Sequence, residues 1–460
     1  MNKALERLSR RGLINGIGAG GLMLGSTSFE SGSAKAADDK RAGALPSGPY
    51  AIRNVRLESG FERSGDQVVA TRTELKTLHI EKGVIVAIAS NDAATGGETR
   101  PAFDAQGQLF LPAFRDVHIH LDKTFYGGPW RAVRPSPNGI AGRIAEERVL
   151  LPQLLPTLEE RAEKLITLLQ TNGSTFARSH CNIDPVSGLK NLEGLQRALA
   201  RRKDAFDYEI VAFPQHGLLL SNAEGLMREA MKMGATHVGG LDPTAVDGAM
   251  EKSVDVMMQI AIDHNGGVDI HVHEPGESGV RAIRRIIELT AQAKQLRGRV
   301  TISHAFALAS LKSGEDVEIF DRMAELGMSV ASSMPIGTRV MPIPMLQKRG
   351  VFVGCGTDSV TDHWSPFGTG DILGKAKLAA QLYGWPDEYN LSRALGLATG
   401  GVTPLDANGK QAWPKIGDAA TGVFVPASCS AEAVARQPDR TAVLHRGTLA
   451  AGALDSASQG

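Results

Sequence analysis

The stretch "FRDVHIHLDKTF", residues 114–125, decides both how the chain folds and what it can hold. Phe114 to Leu121 reads as a strand, and side chains on a strand alternate between two faces. His118 and His120 therefore share one face, while Ile119 points to the other. Two imidazoles aimed at one point suit a divalent transition metal. A lone buried histidine is more often a satisfied core group. Which reading holds depends on whether other segments bring further ligands to the same place.

Further short β-branched runs follow, separated by stretches of helical period. They are "STFARSHCNI" (174–183), "YEIVAFPQ" (208–215), "HVGGLD" (237–242), "GVDIHVHE" (267–274), "RVTISHA" (299–305), "MSVASSMP" (328–335) and "VFVGCGTDS" (351–359). "TLEERAEKLITLLQTNG" and "GVRAIRRIIELTAQAKQLRG" are two of the intervening helical stretches. Eight strands alternating with helices predict a closed (β/α)8 TIM barrel over residues 113–404. A doubly wound open sheet is disfavoured, because no glycine-rich phosphate turn follows the first strand. On either side the texture changes to short alternating β segments: "YAIRNVRLES", "TELKTLHIEKGVIVAIA" and "AQGQLFLPA" before the barrel, "GDAATGVFVPAS" and "TAVLHRGTLAAG" after it. Residues 49–112 and 405–460 are thus expected to form a small β-sandwich domain from both ends of the chain.

Bulk composition narrows the partners. The 50 basic and 50 acidic side chains balance, leaving no electrostatic footprint for nucleic acid or an anionic membrane surface. Cys181, Cys355 and Cys429 are too scattered for a disulfide framework or a zinc knuckle. A homo-oligomer is compatible with the sequence. At the N-terminus, Arg10 and Arg11 precede a weakly apolar, glycine-rich run, and "AKAA" follows at 34–37. Residues 1–36 read as a signal peptide for the twin-arginine export machinery, removed on delivery to the periplasm, with 37–48 as a linker. The run is too short and glycine-rich for stable membrane insertion. A leader that contains Arg-Arg by chance is the alternative.

Active sites of such barrels lie at the C-terminal ends of the strands. There the chain places His118 and His120 on the first strand, His180 on the second, Gln215 and His216 on the third and Asp242 on the fourth. His271 and Glu274 follow on the fifth, His304 on the sixth and Asp358 on the eighth. His271 can add a third nitrogen to the paired imidazoles, and Asp358 a carboxylate oxygen. A metal held this way keeps a position open for water, whose pKa it lowers toward neutrality.

"HIHLDKTF", "VAFPQHGLL", "HVHEPGE", "TISHAFA" and "GTDSVTDHWSPFGTG" occur in this order between residues 112 and 370. Together they resemble the amidohydrolase superfamily, and within it the cytosine deaminase branch. The resemblance implies one divalent metal ion, zinc or iron(II), on His118, His120, His271 and Asp358. It implies Glu274 as proton shuttle, His304 as the group polarising the attacking hydroxide, and Asp358 assisting. Gln215 would read the substrate's amide edge, and Trp364 would pack on its ring. No lysine lies near the end of the fourth strand, where a carboxylated lysine would bridge two metals. Ser359, His363 and His216 depart from the cytosine deaminase pattern on the substrate side. The expected activity is therefore hydrolysis of a C–N bond in a cyclic amidine or amide, with deamination of a cytosine-like or aminotriazine-like nitrogen heterocycle in front. A cyclic amidase or N-alkyl amidohydrolase on the same scaffold is the alternative, and a non-catalytic exported metal- or ring-binding protein a further one. Asp122, Lys123, His180, His216, His273, His363 and Asp242 stay unassigned.

Overall fold

In the computed structural model, which describes residues 45–91, 100–311, 314–337 and 340–457, the N-terminal segment is a meander of long strands. β1 (Tyr50–Ser64) pairs antiparallel with β2 (Gln67–Glu81), and β2 with β3 (Val84–Ser90). Residues 73–89, read above as one segment, are thus two strands. The break is the Lys82–Gly83 turn, whose residues sit at φ of 50° and 77°, the left-handed pair that a tight hairpin needs. β4 (Ala102–Asp104) and β5 (Leu109–Pro112) lie parallel to β1.

After Ala113 the barrel begins. β6 (Phe114–Ile119), β7 (Ser174–Asn182), β8 (Asp207–Phe213), β9 (His237–Leu241), β10 (Gly267–His271), β11 (Val300–Ser303), β12 (Ser329–Ser332) and β13 (Phe352–Cys355) form a second sheet. All its pairings are parallel, and each strand neighbours the next in sequence. The connections carry α1 (Gly139–Leu154), α2 (Leu158–Thr171), α3 (Lys190–Ala200), α4 (Glu224–Lys232), α5 (Met250–Asp263), α6 (Gly276–Gln292), α7 (Glu315–Glu325) and α8 (Ile343–Lys348). α9 (Ile372–Leu382) and α10 (Glu388–Ala398) follow the last strand. α2 shows why these helices form where they do: Ala162, Leu165, Ile166 and Leu169 recur at helical spacing and are buried against the barrel.

The ring closes between its first and last strands. The Asp358 N–H donates to the His118 carbonyl at 2.8 Å, and the His120 N–H to the Asp358 carbonyl at 3.4 Å. Beneath this pair the buried Asp116 carboxylate accepts the backbone N–H groups of His118 (3.2 Å) and Thr357 (3.1 Å), together with the Thr357 hydroxyl. The predicted TIM barrel is therefore the fold, and the open sheet is excluded.

β14 (Gly422–Val425), β15 (Ala442–His445), β16 (Thr448–Gly452) and β17 (Asp455–Ser456) complete the first sheet, with α11 (Ser430–Arg436) between β14 and β15. The terminal segments build one continuous nine-stranded sheet around its own apolar cluster, in which Phe110 stacks on Phe424 at 4.7 Å. Four strands and a helix stand where two or three strands were read. Alternate residues of three strands serve two cores. Leu109, Leu111, Val423, Val425 and Val443 join the barrel cluster, while Phe110, Phe424, Ala442 and Leu444 join the other. The segment read as a leader, and residues 37–44 of the linker, lie outside the described residues. Among the described residues no helix is long and apolar enough to cross a membrane.

The closure seam leaves no room at Gly356. A methyl there would overlap the His118 Cβ and lie 2.6 Å from the His118 carbonyl oxygen. Gly356→Ala is expected to cost about 1–3 kcal/mol in urea unfolding, the usual range for overpacking. Gly225→Ala, with nothing within 4 Å of the added carbon, should cost nothing; equal losses in the two variants would refute the seam argument.

Candidate active site

The C-terminal strand ends hold unusual backbone. Asp242, His304, Ala305, Met334 and Asp358 take φ of 40°, 67°, 49°, 55° and 62° just beyond β9, β11, β12 and β13. Left-handed non-glycine residues cost about 1–3 kcal/mol each and persist only where surroundings over-determine them. Four strands thus end in a forced turn at one end of the barrel.

At that end the histidines meet. The ring centroid of His118 lies 4.1 Å from that of His180, 4.6 Å from His271, 4.9 Å from His304 and 5.6 Å from His120. Asp358 Oδ1 is 3.4 Å from His118 Nε2 and 3.5 Å from His120 Nε2, and Oδ2 is 3.9 Å from His304 Nε2. A hydrogen-bonded chain sets the His118 tautomer. Ser303 Oγ donates its one proton to Asp269 Oδ1 at 2.5 Å, so it must accept from His118 Nδ1 at 2.7 Å. That leaves His118 Nε2 with its lone pair turned to the cluster. Asp269 is held in turn by Arg178 at 3.0 Å and approaches His180 Nε2 at 3.3 Å.

Burial holds the His120, His271 and His304 pKa values well below the ordinary imidazole range, with Lys123 adding to the effect at His120 and neighbouring histidines at the other two. Burial alone would raise the Asp358 carboxyl, but His118 and His120 hold it well below the carboxylate range. Neutral imidazoles beside an ionised carboxylate are the protonation states that bind a divalent metal. His118 Nε2, His120 Nδ1 and both ring nitrogens of His271 are buried without a hydrogen-bond partner, which a metal-free role would leave unexplained. The donors converge in two overlapping trios, His118–His120–Asp358 and His118–His180–His271, each with ligand atoms within 4.8 Å of one another. This cluster could hold a metal ion. The sequence reading left His180 aside, yet it shares a trio with His271.

The remaining predicted residues divide. Gln215 and Trp364 line a cavity of about 460 Å³ together with His120, His271, His304 and Asp358. Glu274 is not among its lining side chains. Glu274 Oε1 accepts the backbone N–H groups of Thr244 (2.8 Å) and Ala245 (2.7 Å), while Oε2 is buried without a partner. The fourth strand ends in Asp242, whose carboxylate takes the His273 N–H at 2.6 Å and meets His273 Nδ1 at 2.8 Å.

Residues the sequence reading missed or left open sit against Gln215. Lys123, 1% exposed, donates to Gln215 Oε1 at 2.6 Å and lies 3.4 Å from Glu147 Oε1. Its Nζ is 5.7 Å from the Trp364 ring centroid, within cation–π range. Burial would strip this ammonium of its proton, but Glu147, Asp362, Asp122 and Asp358 together outweigh that and raise its pKa. One cation is shared among several buried carboxylates, and its attraction does not offset the burial of Glu147. Burial raises Glu147 to about 7, against the lowering influence of Lys123 and Asn182. Glu147 comes from α1 and drew no notice in the sequence. Lys123, two residues beyond Leu121, was visible but had no partner to give it a role.

A (β/α)8 barrel with imidazoles and a carboxylate converging at its strand ends, flanked by a sheet from both chain termini, is the architecture of metal-dependent amidohydrolases. The chain belongs to the amidohydrolase family, which it matches over residues 138–405, and it is cytosine deaminase-like within that superfamily. It is 56% identical over 406 residues to the uncharacterized protein YahJ of Escherichia coli (strain K12), covering 88% of both chains. It is 30% identical over 310 residues to the N-isopropylammelide isopropyl amidohydrolase of Pseudomonas sp. (strain ADP), covering 66% of this chain and 76% of that one. Among solved structures, N-isopropylammelide isopropylaminohydrolase from Burkholderia multivorans superposes with a TM-score of 0.76 at 30% identity, over 87% of this chain and 98% of that one. The 5-methylcytosine deaminase of Klebsiella pneumoniae liganded with 5-fluorocytosine gives 0.72 at 26% identity, over 87% and 97%. The protein is a hydrolase acting on carbon–nitrogen bonds.

Glu147 makes a prediction about pH. Its folded pKa of about 7 exceeds its ordinary 4.5, so the folded protein holds this proton more tightly than the unfolded chain. Its contribution to stability is therefore largest at low pH and declines as pH rises from the ordinary value to about 7. Glu147→Gln removes the decline. Between about pH 5 and about pH 8 the variant should gain on the wild type by on the order of 3 kcal/mol, at about 1.4 kcal/mol per pKa unit. Urea unfolding across that range checks this, and parallel stability curves would contradict it.

Proposed function

We propose that the protein deaminates a cytosine-like or aminotriazine-like ring, releasing ammonia from an exocyclic C–N bond. The Lys123–Gln215 pair carries this reading. A lysine ammonium has no acceptor, so the atom of Gln215 facing it must be Oε1. Gln215 Nε2 is then left to donate, and with the Lys123 ammonium beside it this stretch of the cavity wall presents donors. Such a wall suits the acceptor edge of a planar cyclic amide or amidine, with Trp364 beside it for the ring face. The 30% and 26% identical enzymes, named for N-isopropylammelide and 5-methylcytosine, support a substrate of this kind.

A divalent metal, zinc or iron(II), would be held by His118, His120 and Asp358, which converge, with His271 joined to them through His118, and when bound it would lower the pKa of the attacking water. The chain's own groups then have to move protons. Exchanging C–NH2 for C=O delivers one proton to ring nitrogen and another to the departing amine. Asp358, kept ionised, accepts a proton or a hydrogen bond through Oδ2, on the side facing His304. Glu274 is the proposed carrier, since its Oε2 is buried and unpartnered. To deliver, its side chain must leave the Thr244 and Ala245 amides and swing into the cavity. Release of an N-alkyl amine is a second reading, favoured by the apolar outer wall of Met334, Pro335, Ile336 and Phe367, which would accept an alkyl substituent.

The test is metal analysis with product identification on aminopyrimidines, N-alkylaminotriazines and cyclic ureas. His271→Ala and Asp358→Ala should lose bound metal and turnover together. Glu274→Gln should keep the metal and lose about 10²–10⁴-fold in kcat, the usual contribution of a general acid–base. Ring-opened acids as the only products would overturn deamination, and a protein inert after zinc or iron(II) is supplied would overturn catalysis.

Residues 1–36 are proposed as a twin-arginine leader on the strength of Arg10-Arg11 and the "AKAA" site. Replacing both arginines by lysine should shift the protein from the periplasmic to the cytoplasmic fraction. Unchanged fractionation would reject the leader.

A further inference from the structure

We propose that the part of the cavity lined by Lys375 is an anion subsite in which this lysine binds a carboxylate carried on the substrate's substituent. The inference rests on the heterocycle reading above and names a feature of that substrate. Two lysines line the cavity, and they differ in what satisfies them. Lys123 is engaged by Gln215 and Glu147. Lys375, on α9, is half-buried, and its Nζ donates to the Ser333 carbonyl at 2.8 Å. Among the described residues no carboxylate lies within ion-pair distance of it. An ammonium has three donors, so two of them are left for a ligand.

Nothing else on this wall supplies the missing negative charge. α9 carries no acidic residue, and Asp371 at its start is occupied by the Leu373 and Gly374 N–H groups, Gln437 and Arg440. The one carboxylate lining the cavity is Asp358, turned to His118, His120 and His304. Leu378 lies one helical turn from Lys375 on the same face, and Met334 and Pro335 follow Ser333 on the opposing loop. This part of the cavity therefore offers a cation set among apolar side chains, which matches a short apolar spacer ending in a carboxylate. The about 460 Å³ of the cavity falls within the range of sites that take more than a bare ring.

The probes are two derivatives of one aminotriazine, N-carboxyethyl and N-propyl, offered to the metal-loaded protein. Binding is read by calorimetry and turnover by amine release. The wild type should prefer the carboxylate by about 10–100-fold in Kd and in KM, the range for a charge-assisted hydrogen bond. Lys375→Met should erase the preference, so that the two probes bind alike, and Lys375→Arg should restore most of it. Turnover of N-propyl with no preference for the carboxylate overturns the subsite and leaves the hydrolase reading standing. A carboxylate preference that Lys375→Met abolishes, with no turnover of either probe, supports the subsite and overturns release of an N-alkyl amine. Binding of neither probe, or a preference that survives in Lys375→Met, overturns the subsite.

Discussion

The hydrogen bond from the Asp358 N–H to the His118 carbonyl, returned by the His120 N–H to Asp358, joins the last barrel strand to the first. The residues that make this seam also bring their side chains to one point, because Asp358 Oδ1 lies between His118 and His120. Closing the barrel and assembling the cluster are thus one event. Asp358 must turn left-handed to do both, at φ of 62°. The Asp116 carboxylate beneath it holds the first and last strands in register from a position 0% exposed. Rigidity of the site follows from the parallel sheet and owes little to loops.

Electrostatics inside the barrel follow from scarcity of cations. Lys123 is a single buried ammonium facing Glu147, Asp122, Asp362 and Asp358. It fixes the amide of Gln215 by the one hydrogen bond a lysine can make to it, and thereby sets which atoms line the wall. On the other side Asp269 is occupied by Arg178, Ser303 and His180, so the chain that orients His118 ends in a satisfied carboxylate. Both networks convert buried charge into a fixed orientation of a neutral group.

Much of this was legible in the sequence because strands have a short period. His118 and His120 share a face by alternation alone, and the parallel strands announce themselves as β-branched runs between helical stretches. Residues at the ends of those runs, His271, His304 and Asp358, could be placed without knowing any distance. Glu147 could not. On a helix one acid in an adjacent pair is buried and the other is not, and only packing shows that Glu147 is 1% exposed. Lys375 is hidden in the same way on α9. The hairpin within 73–89 was missed because Lys82-Gly83 is a weaker turn signal than Asn-Gly. His180 was set aside for want of a spacing rule, and its place beside His118 and His271 is a matter of barrel geometry.

The division of β5, β14 and β15 between two cores has a consequence for the order in which the protein can be made. β5 borders β14, and inward residues of both strands cover the start of the barrel. A chain growing from its N-terminus has synthesised all eight barrel strands before residues 422–445 exist to cover this flank. Through that interval the Phe114 end of the barrel stands beside an unpaired edge and an exposed apolar strip, the kind of surface that invites mispairing. The accessory sheet is therefore the last part of the barrel's own wall to arrive, and the native fold cannot be completed during the synthesis of its catalytic half.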